Sequence, residues 1–362
     1  MSGPIAIATG GTGGHVFPAL AVARTLRALG HAVVLTSDAR GLHWLAGENA
    51  VFELPSASPS GPLRRRLFAL AALVRGALRA YRLYGELQPA AAAAFGGYAS
   101  FPAALAARMR GIPLVVHEQN AVLGRANRIA ARFARWLLLT FADTEGVPPS
   151  LRARSMVTGN PVRPDFLGEF SPPPAHGRLR LLVIGGSQGA RRLGELVPAA
   201  VADLPEGMRR QLVLWMQVRA EQCATVAAGL AHCGLAELEV RPFFDDLARR
   251  LACADLVVAR AGASTLAELL ATGRPSILIP YPFAADDHQT ANALRLARAG
   301  AAICLSEAEL TSQRLASEMA ALLGHPERRE AMRQKALALA RPDAALHIAR
   351  ILVSLLPAEA SP

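Results

Sequence analysis

Short apolar runs alternate with longer stretches of helical spacing along almost the whole chain. Pro4–Ala8 reads as a first strand, and Pro18–Leu29 as a helix that Gly30 stops. Ala32–Thr36 and Val51–Leu54 read as strands, and Arg64–Gln88 carries a long helical pattern. Ala90–Phe95, Leu114–His117 and Trp136–Thr140 read as further strands separated by helices. This is the rhythm of a parallel, doubly wound sheet. It pauses at the proline-rich stretch Glu169–Arg178 and restarts with a strand at Leu179–Ile184. Later strands are expected at Gln211–Trp215, Glu237–Val240, Leu256–Ala259, Ser276–Ile279 and Ala301–Leu305. Helical patterns at Glu327–Leu339 and Asp343–Leu356, separated by Pro342, close the chain.

A linker between two similar halves accounts for this pattern, and 362 residues suit two domains better than one. The expected architecture is α/β, with two Rossmann-like domains over 1–162 and 163–342 and the final helix, within 343–362, packing back on the first. Ligands of open α/β sheets bind at the carboxyl ends of the strands, so a cleft between the two sheets is the expected site. The architecture alone names no substrate. The weakly charged stretch Leu87–Ala107 is long enough to suggest a membrane span. It is mostly alanine and is broken by Pro89, Gly96, Gly97 and Pro102, so strand, loop and helix fit it better.

Charge narrows the class of partner. The chain carries a formal +11 and a pI near 10.7. Lys335 is the only lysine, and arginine supplies the rest. A genome rich in Arg and Ala codons explains the choice of arginine but not the excess, which points to an anionic partner. Nucleic-acid binding would want aromatics interleaved with Arg, and aromatics make up 5% of the chain. Cys223, Cys233, Cys253 and Cys304 form no C-x-x-C pair and read as reduced thiols of the cytosol. No basic segment followed by an apolar run opens the chain, so no signal peptide is expected.

Four constellations carry chemistry. Gly10-Gly11-Thr12-Gly13-Gly14-His15 lies between the first strand and the first helix, where glycines admit close backbone approach and a helix N-terminus favours anionic groups. The dinucleotide fingerprint fails there, because Val16 stands at its third glycine, although Asp38 occupies the place of a ribose-binding acid. His15 suits general-base work, or equally a structural hydrogen bond. The second loop, Gly185–Ala190, offers backbone amides and the Ser187 hydroxyl to a diphosphate, and it lacks the Gly-Lys of an ATPase phosphate loop. The third, Arg260–Glu268, opens a helix, and the Glu268 carboxylate could accept two hydrogen bonds from the cis hydroxyls of a ribose or merely answer the helix dipole. In the fourth, Asp286–Asn292, a capped helix start explains the acids better than a metal does, and His288 and Gln289 read as partners of a sugar or phosphate.

These strings occur in order with Val16-Phe17-Pro18, Phe95-Gly96-Gly97-Tyr98, His117-Glu118-Gln119-Asn120 and Gly159-Asn160-Pro161-Val162-Arg163. Together they resemble the MurG family of peptidoglycan N-acetylglucosaminyltransferases over nearly the whole chain. That resemblance implies the GT-B fold and transfer of N-acetylglucosamine from UDP-N-acetylglucosamine to undecaprenyl-diphosphate-N-acetylmuramyl-pentapeptide (lipid I), giving lipid II with inversion. The nucleotide sugar is then a co-substrate, and neither a cofactor nor a metal is expected. A nucleotide-sugar epimerase, or another glycolipid glycosyltransferase of the same fold, is the alternative.

By the same resemblance, Thr12, Gly13 and Gly14 fall near the transferred sugar and acceptor diphosphate, and Asn120 at the donor sugar. Arg163 and Ser187 fall at the diphosphate, and Phe244 where its main chain meets uracil. Ala263, Ser264, Thr265 and Leu266 fall at the donor diphosphate, Glu268 at the ribose, and Gln289 at the donor sugar. His15 is the candidate base, with Glu118 and Asp38 next in line. One departure is Met216-Gln217-Val218-Arg219, where the family has a Gln-x-Gly-Lys-like turn.

An acceptor with a polyprenyl tail keeps the active site near a bilayer. In Pro62–Tyr84, Leu67, Leu70, Leu73, Val74 and Leu78 recur at helical spacing among Arg64, Arg65, Arg66, Arg75, Arg79 and Arg82. Much of that apolar stripe is expected to pack on its own sheet. Basic residues around an exposed Leu67, Phe68 or Tyr84 would suit an anionic lipid surface. Peripheral attachment to the cytoplasmic face of the inner membrane follows as an expectation.

Overall fold

The computed structural model describes residues 3–59, 61–168, 177–185 and 191–357. It divides into two compact units. Unit 1 comprises 1–163 with 341–362, and unit 2 comprises 164–340. Arg163, placed by the sequence pattern in the second domain, groups with unit 1. There its guanidinium lies 4.6 Å from the centre of the Phe17 ring.

The strands of unit 1 are β1 (Ile5–Ala8), β2 (Val33–Ser37), β3 (Val51–Glu53), β4 (Ala91–Ala94), β5 (Leu114–Glu118), β6 (Trp136–Leu139) and β7 (Ser155–Val157). All pair in parallel, in the order β3-β2-β1-β4-β5-β6-β7. In unit 2, β8 (Leu179–Ile184), β9 (Leu212–Gln217), β10 (Glu237–Arg241), β11 (Leu256–Ala259), β12 (Ser276–Leu278) and β13 (Ile303–Cys304) repeat that winding as β10-β9-β8-β11-β12-β13. The order reverses between β1 and β4 in one sheet and between β8 and β11 in the other. Those reversals are where chains leave adjacent strands in opposite directions and open a crevice. The edge strand β7 was not anticipated, because three half-exposed residues with Ser155 at the start make too short an apolar run.

Strand β4 is four alanines, a residue with little preference for strands. All four are buried, and β4 registers between β1 and β5. Central placement outweighs propensity, and the small side chains let helices sit close on both faces. On one face the chain's last helix, Ala344–Val353, packs against β4 and the helix Gly13–Ala28, burying Ile348, Ala349 and Leu352 with Val16 and Leu20. On the other lie the helices Leu63–Leu87 and Gly97–Met109, packed on each other.

The helix Leu63–Leu87 turns a different face inward from the one its leucines suggested. Its buried residues are Ala69, Ala72, Gly76, Ala77, Ala80 and Tyr84. Leu67, Leu70, Val74 and Leu78 are exposed and Leu73 is half-buried. Tyr84, expected at the surface, is in the core. The reason is the close fit. A Cβ on Gly76 would lie 2.1 Å from the Pro55 carbonyl oxygen and 3.0 Å from Pro102 Cγ, so nothing larger than glycine fits at that point of the seam.

This seam reverses the usual sign of a substitution. Gly→Ala inside a helix ordinarily stabilises by about 1 kcal/mol. Gly76→Ala should instead destabilise unit 1 by about 1–3 kcal/mol, through overpacking against a backbone carbonyl. Chemical denaturation of the two proteins checks this, and a gain in stability would contradict the packing described.

Candidate active site

The first glycine loop leaves β1 and enters the helix Gly13–Ala28. That helix begins five residues earlier than Pro18, which marked its expected start. Pro18 lies inside this helix, where it has no N–H to give to the Gly14 carbonyl one turn earlier. Gly13, Gly14 and His15 therefore form the first helical turn, and the His15 and Val16 amides donate to the Thr12 carbonyl at 3.0 and 3.1 Å. Gly10 and Gly11 have φ of 145° and 82°. A Cβ on Gly10 would come within 2.7 Å of Asp38 Oδ1 and 2.8 Å of Ala99 Cβ, so neither space nor backbone permits another residue there.

Asp38 holds this loop from below. It is only 3% exposed. Its Oδ1 accepts from the Gly11 amide at 2.8 Å and the Gly41 amide at 3.1 Å, and Oδ2 pairs with Arg40 at 2.9 Å. That corrects its standing as a ribose-binding acid or reserve base, since both carboxylate oxygens are committed to the protein.

His15 is bracketed by two loops. Thr12 Oγ1 lies 3.3 Å from its Nδ1. The ring rests over the turn that follows β4, where a Cβ on Gly96 would be 3.0 Å from His15 Cδ2 and one on Gly97 3.6 Å from Cε1. Gly96 and Gly97 both have positive φ, 79° and 70°. The imidazole thus sits at the β1/β4 reversal, on backbone from which side chains are excluded.

Behind it, at the end of β5, a buried polar network fixes the neighbouring loops. Gln119 Nε2 donates to the Phe95 carbonyl at 3.0 Å and to His117 Nδ1 at 3.2 Å. His117 Nε2 then donates to the Gly159 carbonyl at 2.9 Å, which sets the tautomer. Burial pushes the His117 pKa down to about 4, against the opposing pull of that hydrogen bond and assisted by nearby His15, so the ring is neutral at physiological pH. Glu118 is 2% exposed. Its Oε1 accepts from the amide and side chain of Asn120 at 3.0 and 3.2 Å, and Oε2 from the Gly124 amide at 3.0 Å and Asn127 Nδ2 at 2.8 Å. Glu118, the other reserve base, therefore shapes the loop that presents Asn120.

In unit 2 the second glycine loop, Gly186–Ala190 with Ser187, lies outside the described residues. The next strand of the reversal, β11, leads through Arg260-Ala261-Gly262 into the helix Ala263–Ala271. Arg260 is buried and donates to the Ile279 and Pro280 carbonyls, both at 3.1 Å, and forms an ion pair with Glu307. Asn292 Nδ2 donates to the Ala261 carbonyl at 3.0 Å. The turn is thereby tied to β12 and to the helix His288–Arg298. Ala263, Ser264 and Thr265 are half-buried in the first helical turn, and Leu266 is buried. Glu268 is the helix's sixth residue and 6% exposed, so it stands in the second turn and not at the dipole-rich start.

The Tyr281 amide donates to Gln289 Oε1 at 3.0 Å, which orients the Gln289 amide group. His288 Nδ1 lies 2.7 Å from the Ala285 carbonyl and so carries a proton. Asp286 and Asp287 both adopt positive φ, 51° and 50°. Among the described residues no group of three or more His, Cys, Asp or Glu side chains is placed to hold a metal ion. Phe244, in the turn after β10, is buried beneath the Arg250 guanidinium at 4.3 Å, and Arg250 is held by Asp246 at 2.7 Å. Where the glycine of the family turn is missing, β9 runs on to Gln217, and Val218 is buried with its amide bonded to the Arg241 carbonyl at 3.1 Å.

Sequence reasoning missed the supporting roles of Phe17, Asp38, Glu118 and Gln119. Phe17 carried a faint signal, as an aromatic two residues after the candidate base. The others left none, because neither the loop shape that brings Asn120, Gly124 and Asn127 to Glu118 nor the long-range bonds of Asp38 with Gly11 and of Gln119 with Phe95 show in an apolar pattern.

The model of the glycosyltransferase family 28 N-terminal domain matches residues 5–138, and that of its C-terminal domain residues 180–348. A Rhodospirillum centenum protein named UDP-N-acetylglucosamine–N-acetylmuramyl-(pentapeptide) pyrophosphoryl-undecaprenol N-acetylglucosamine transferase is 47% identical, over 96% of this chain and 93% of that one. One of the same name from Methylobacterium nodulans is 46% identical over 96% of each. The crystal structure of Acinetobacter baumannii MurG, 31% identical, superposes with a TM-score of 0.79 over 97% of this chain and 99% of that one. A Listeria monocytogenes structure described as a UDP-N-acetylglucosamine 2-epimerase shares the fold at 16% identity, with a TM-score of 0.70 over 96% of this chain and 95% of that one. With both domains of the family matched and near-full-length relatives at this identity, the chain has the GT-B fold and belongs to glycosyltransferase family 28, among the MurG N-acetylglucosamine transferases.

Proposed function

We propose that this enzyme transfers N-acetylglucosamine from UDP-N-acetylglucosamine to undecaprenyl-diphosphate-N-acetylmuramyl-pentapeptide, with inversion at the anomeric carbon. The observation that carries the reading is His15, held by Thr12 on a side-chain-free backbone surface at the β1/β4 reversal. The C4 hydroxyl of the acceptor sugar attacks C1 of the donor. A C1–O bond forms, the bond to the UDP oxygen breaks, and His15 takes the hydroxyl proton. Thr12, Gly13 and Gly14 serve the acceptor diphosphate and transferred sugar. Asn120, His288 and Gln289 serve the donor sugar, Glu268 the ribose and the Phe244 main chain the uracil. Charge that develops on UDP is met by Arg163, Ser187 and the amides that open the helix at Ala263, through Ser264, Thr265 and Leu266, with no metal or other cofactor required.

The surface of unit 1 favours a membrane-bound acceptor over the soluble substrate of an epimerase. Unit 1 holds 20 basic and nine acidic residues and unit 2 holds 19 of each, so all of the +11 lies on unit 1. Along the helix Leu63–Leu87 the exposed Leu63 (71%), Leu67, Phe68 (65%), Leu70, Val74 and Leu78 stand among six arginines. No helix of the described residues is long and apolar enough to cross a membrane. An apolar strip framed by arginine suits the headgroup boundary of an anionic leaflet, each Arg adding about 1 kcal/mol near the surface. Peripheral docking on the cytoplasmic face of the inner membrane follows, and nucleic acid is not a partner in this reading.

The direct test follows UDP release from UDP-N-acetylglucosamine in the presence of a lipid I analogue; no acceptor-dependent release would reject the function. In that assay His15→Ala should lower turnover by about 10²–10⁴-fold with little change in donor affinity. Near-normal turnover would place the base elsewhere. Glu268→Ala should leave the protein folded and raise the KM for UDP-N-acetylglucosamine, through loss of charge-assisted bonds worth about 1.5–3 kcal/mol. Unchanged donor affinity would remove Glu268 from the ribose. Finally, wild type should co-sediment with anionic liposomes at low salt, and Arg64, Arg65 and Arg66 all changed to Glu should weaken it strongly. Equal binding by both would detach this helix from the membrane.

A further inference from the structure

We propose that Phe17 is a positioning residue, holding the Arg163 guanidinium in place for the diphosphate; the inference rests on the donor-diphosphate role given to Arg163 above. Arg163 closes the segment Gly159–Arg163, where unit 1 hands over to unit 2 along the chain. Its guanidinium carbon lies 4.6 Å from the centre of the Phe17 ring, within the range in which an aromatic face attracts a cation.

The ring is itself clamped. A Cβ on Gly13 would lie 2.8 Å from Phe17 Cε2 and 3.3 Å from Cδ2, so the ring lies against the first turn of its own helix. Trp44 meets it edge-on at 5.2 Å and 76°. Trp44 is in turn backed by His43, with ring centres 4.2 Å apart. A long, flexible arginine side chain is thus seated on a ring that the glycine loop and Trp44 prevent from turning.

This arrangement explains two features that the reaction alone does not. Gly13 has helical backbone and needs no positive φ, so its glycine is required by the ring and not by the turn. Thr12, His15 and Phe17 lie within five residues of one another, so one helical segment orients both the candidate base and the candidate phosphate ligand. A displaced loop would then misplace the acceptor and the leaving-group contact together.

The test is a double-mutant cycle on kcat/KM for UDP-N-acetylglucosamine with a lipid I analogue, using wild type, Phe17→Leu, Arg163→Ala and the double variant, with Phe17→Tyr as the conservative control. Melting temperature is measured for each. Phe17→Leu should cost about three- to thirty-fold, the span of a cation–π contact, while Phe17→Tyr stays near wild type. In the Arg163→Ala background, Phe17→Leu should cost less than about twofold, because the partner is already gone. Phe17→Met, closer in length to Phe, replaces the Leu variant if that one melts early. Full additivity of the two changes, or a Phe17→Leu enzyme at wild-type efficiency beside an impaired Arg163→Ala, would overturn the positioning role alone. Arg163→Ala at wild-type efficiency would overturn the diphosphate role of Arg163 and this proposal with it, leaving the transfer reaction itself to the UDP-release assay.

Discussion

A buried carboxylate must be given donors, and most of unit 1's candidate site is organised around two of them. Among the described residues Glu118 forms no ion pair with an arginine or lysine. Its four hydrogen bonds come from backbone and side-chain amides between Asn120 and Asn127. Asp38 has one cation, Arg40, and two backbone amides, one of them in the glycine loop. Hydrogen bonds to a charged group are worth about 1.5–3 kcal/mol each, and leaving such a group unpaired when buried costs at least as much. Each loop is therefore held by an energy comparable to a sizeable part of a domain's net stability. The glycines supply the approach to a ligand, while the carboxylates keep that flexible backbone in one shape.

The same logic governs the polar chain behind His15. Gln119 spends its amide nitrogen on the Phe95 carbonyl and His117, and His117 spends its remaining nitrogen on the Gly159 carbonyl. Three loops that are distant in sequence, after β4, after β5 and after β7, become one unit. A positive charge on His117 would break the chain, because Nδ1 would turn from acceptor to donor against the Gln119 amide. Burial holds the ring neutral and so protects the arrangement from modest acidification.

Much of the fold was legible because apolar periodicity and glycine punctuation report burial and turns directly. Even the alanine strand β4 could be read as an apolar run bounded by Pro89 and Gly96. What escaped depended on hydrogen bonds and packing that periodicity does not report. Pro18 pointed to a helix start, yet the helix begins five residues before it, at Gly13. Asp38 and Glu118 looked like chemistry because exposed acids often are, and only their depth and donors reveal them as supports. The chemistry-bearing strings themselves were legible, since glycine turns after strands and a histidine at a helix start are local patterns. Phe17 was not, because an aromatic in a helix reads as core until its neighbour on the far side of the ring is known.

The helix Leu63–Leu87 shows how packing can separate stability from surface function. Its inward face is alanine, glycine and the ring of Tyr84, and it buries little side chain per residue. Close approach compensates, because a tight seam gains dispersion contacts that bulkier side chains would obtain at a greater distance. Leu63, Leu67, Phe68, Leu70, Val74, Leu78 and the six arginines are thereby left outside. Exposed apolar side chains of that size, gathered on one helix, are a liability in water unless something covers them. Because the seam and the strip occupy different faces, charge on the strip can change without loosening the helix from the sheet. Substitutions on the strip therefore leave the loops that position Thr12, His15 and Arg163 unaltered.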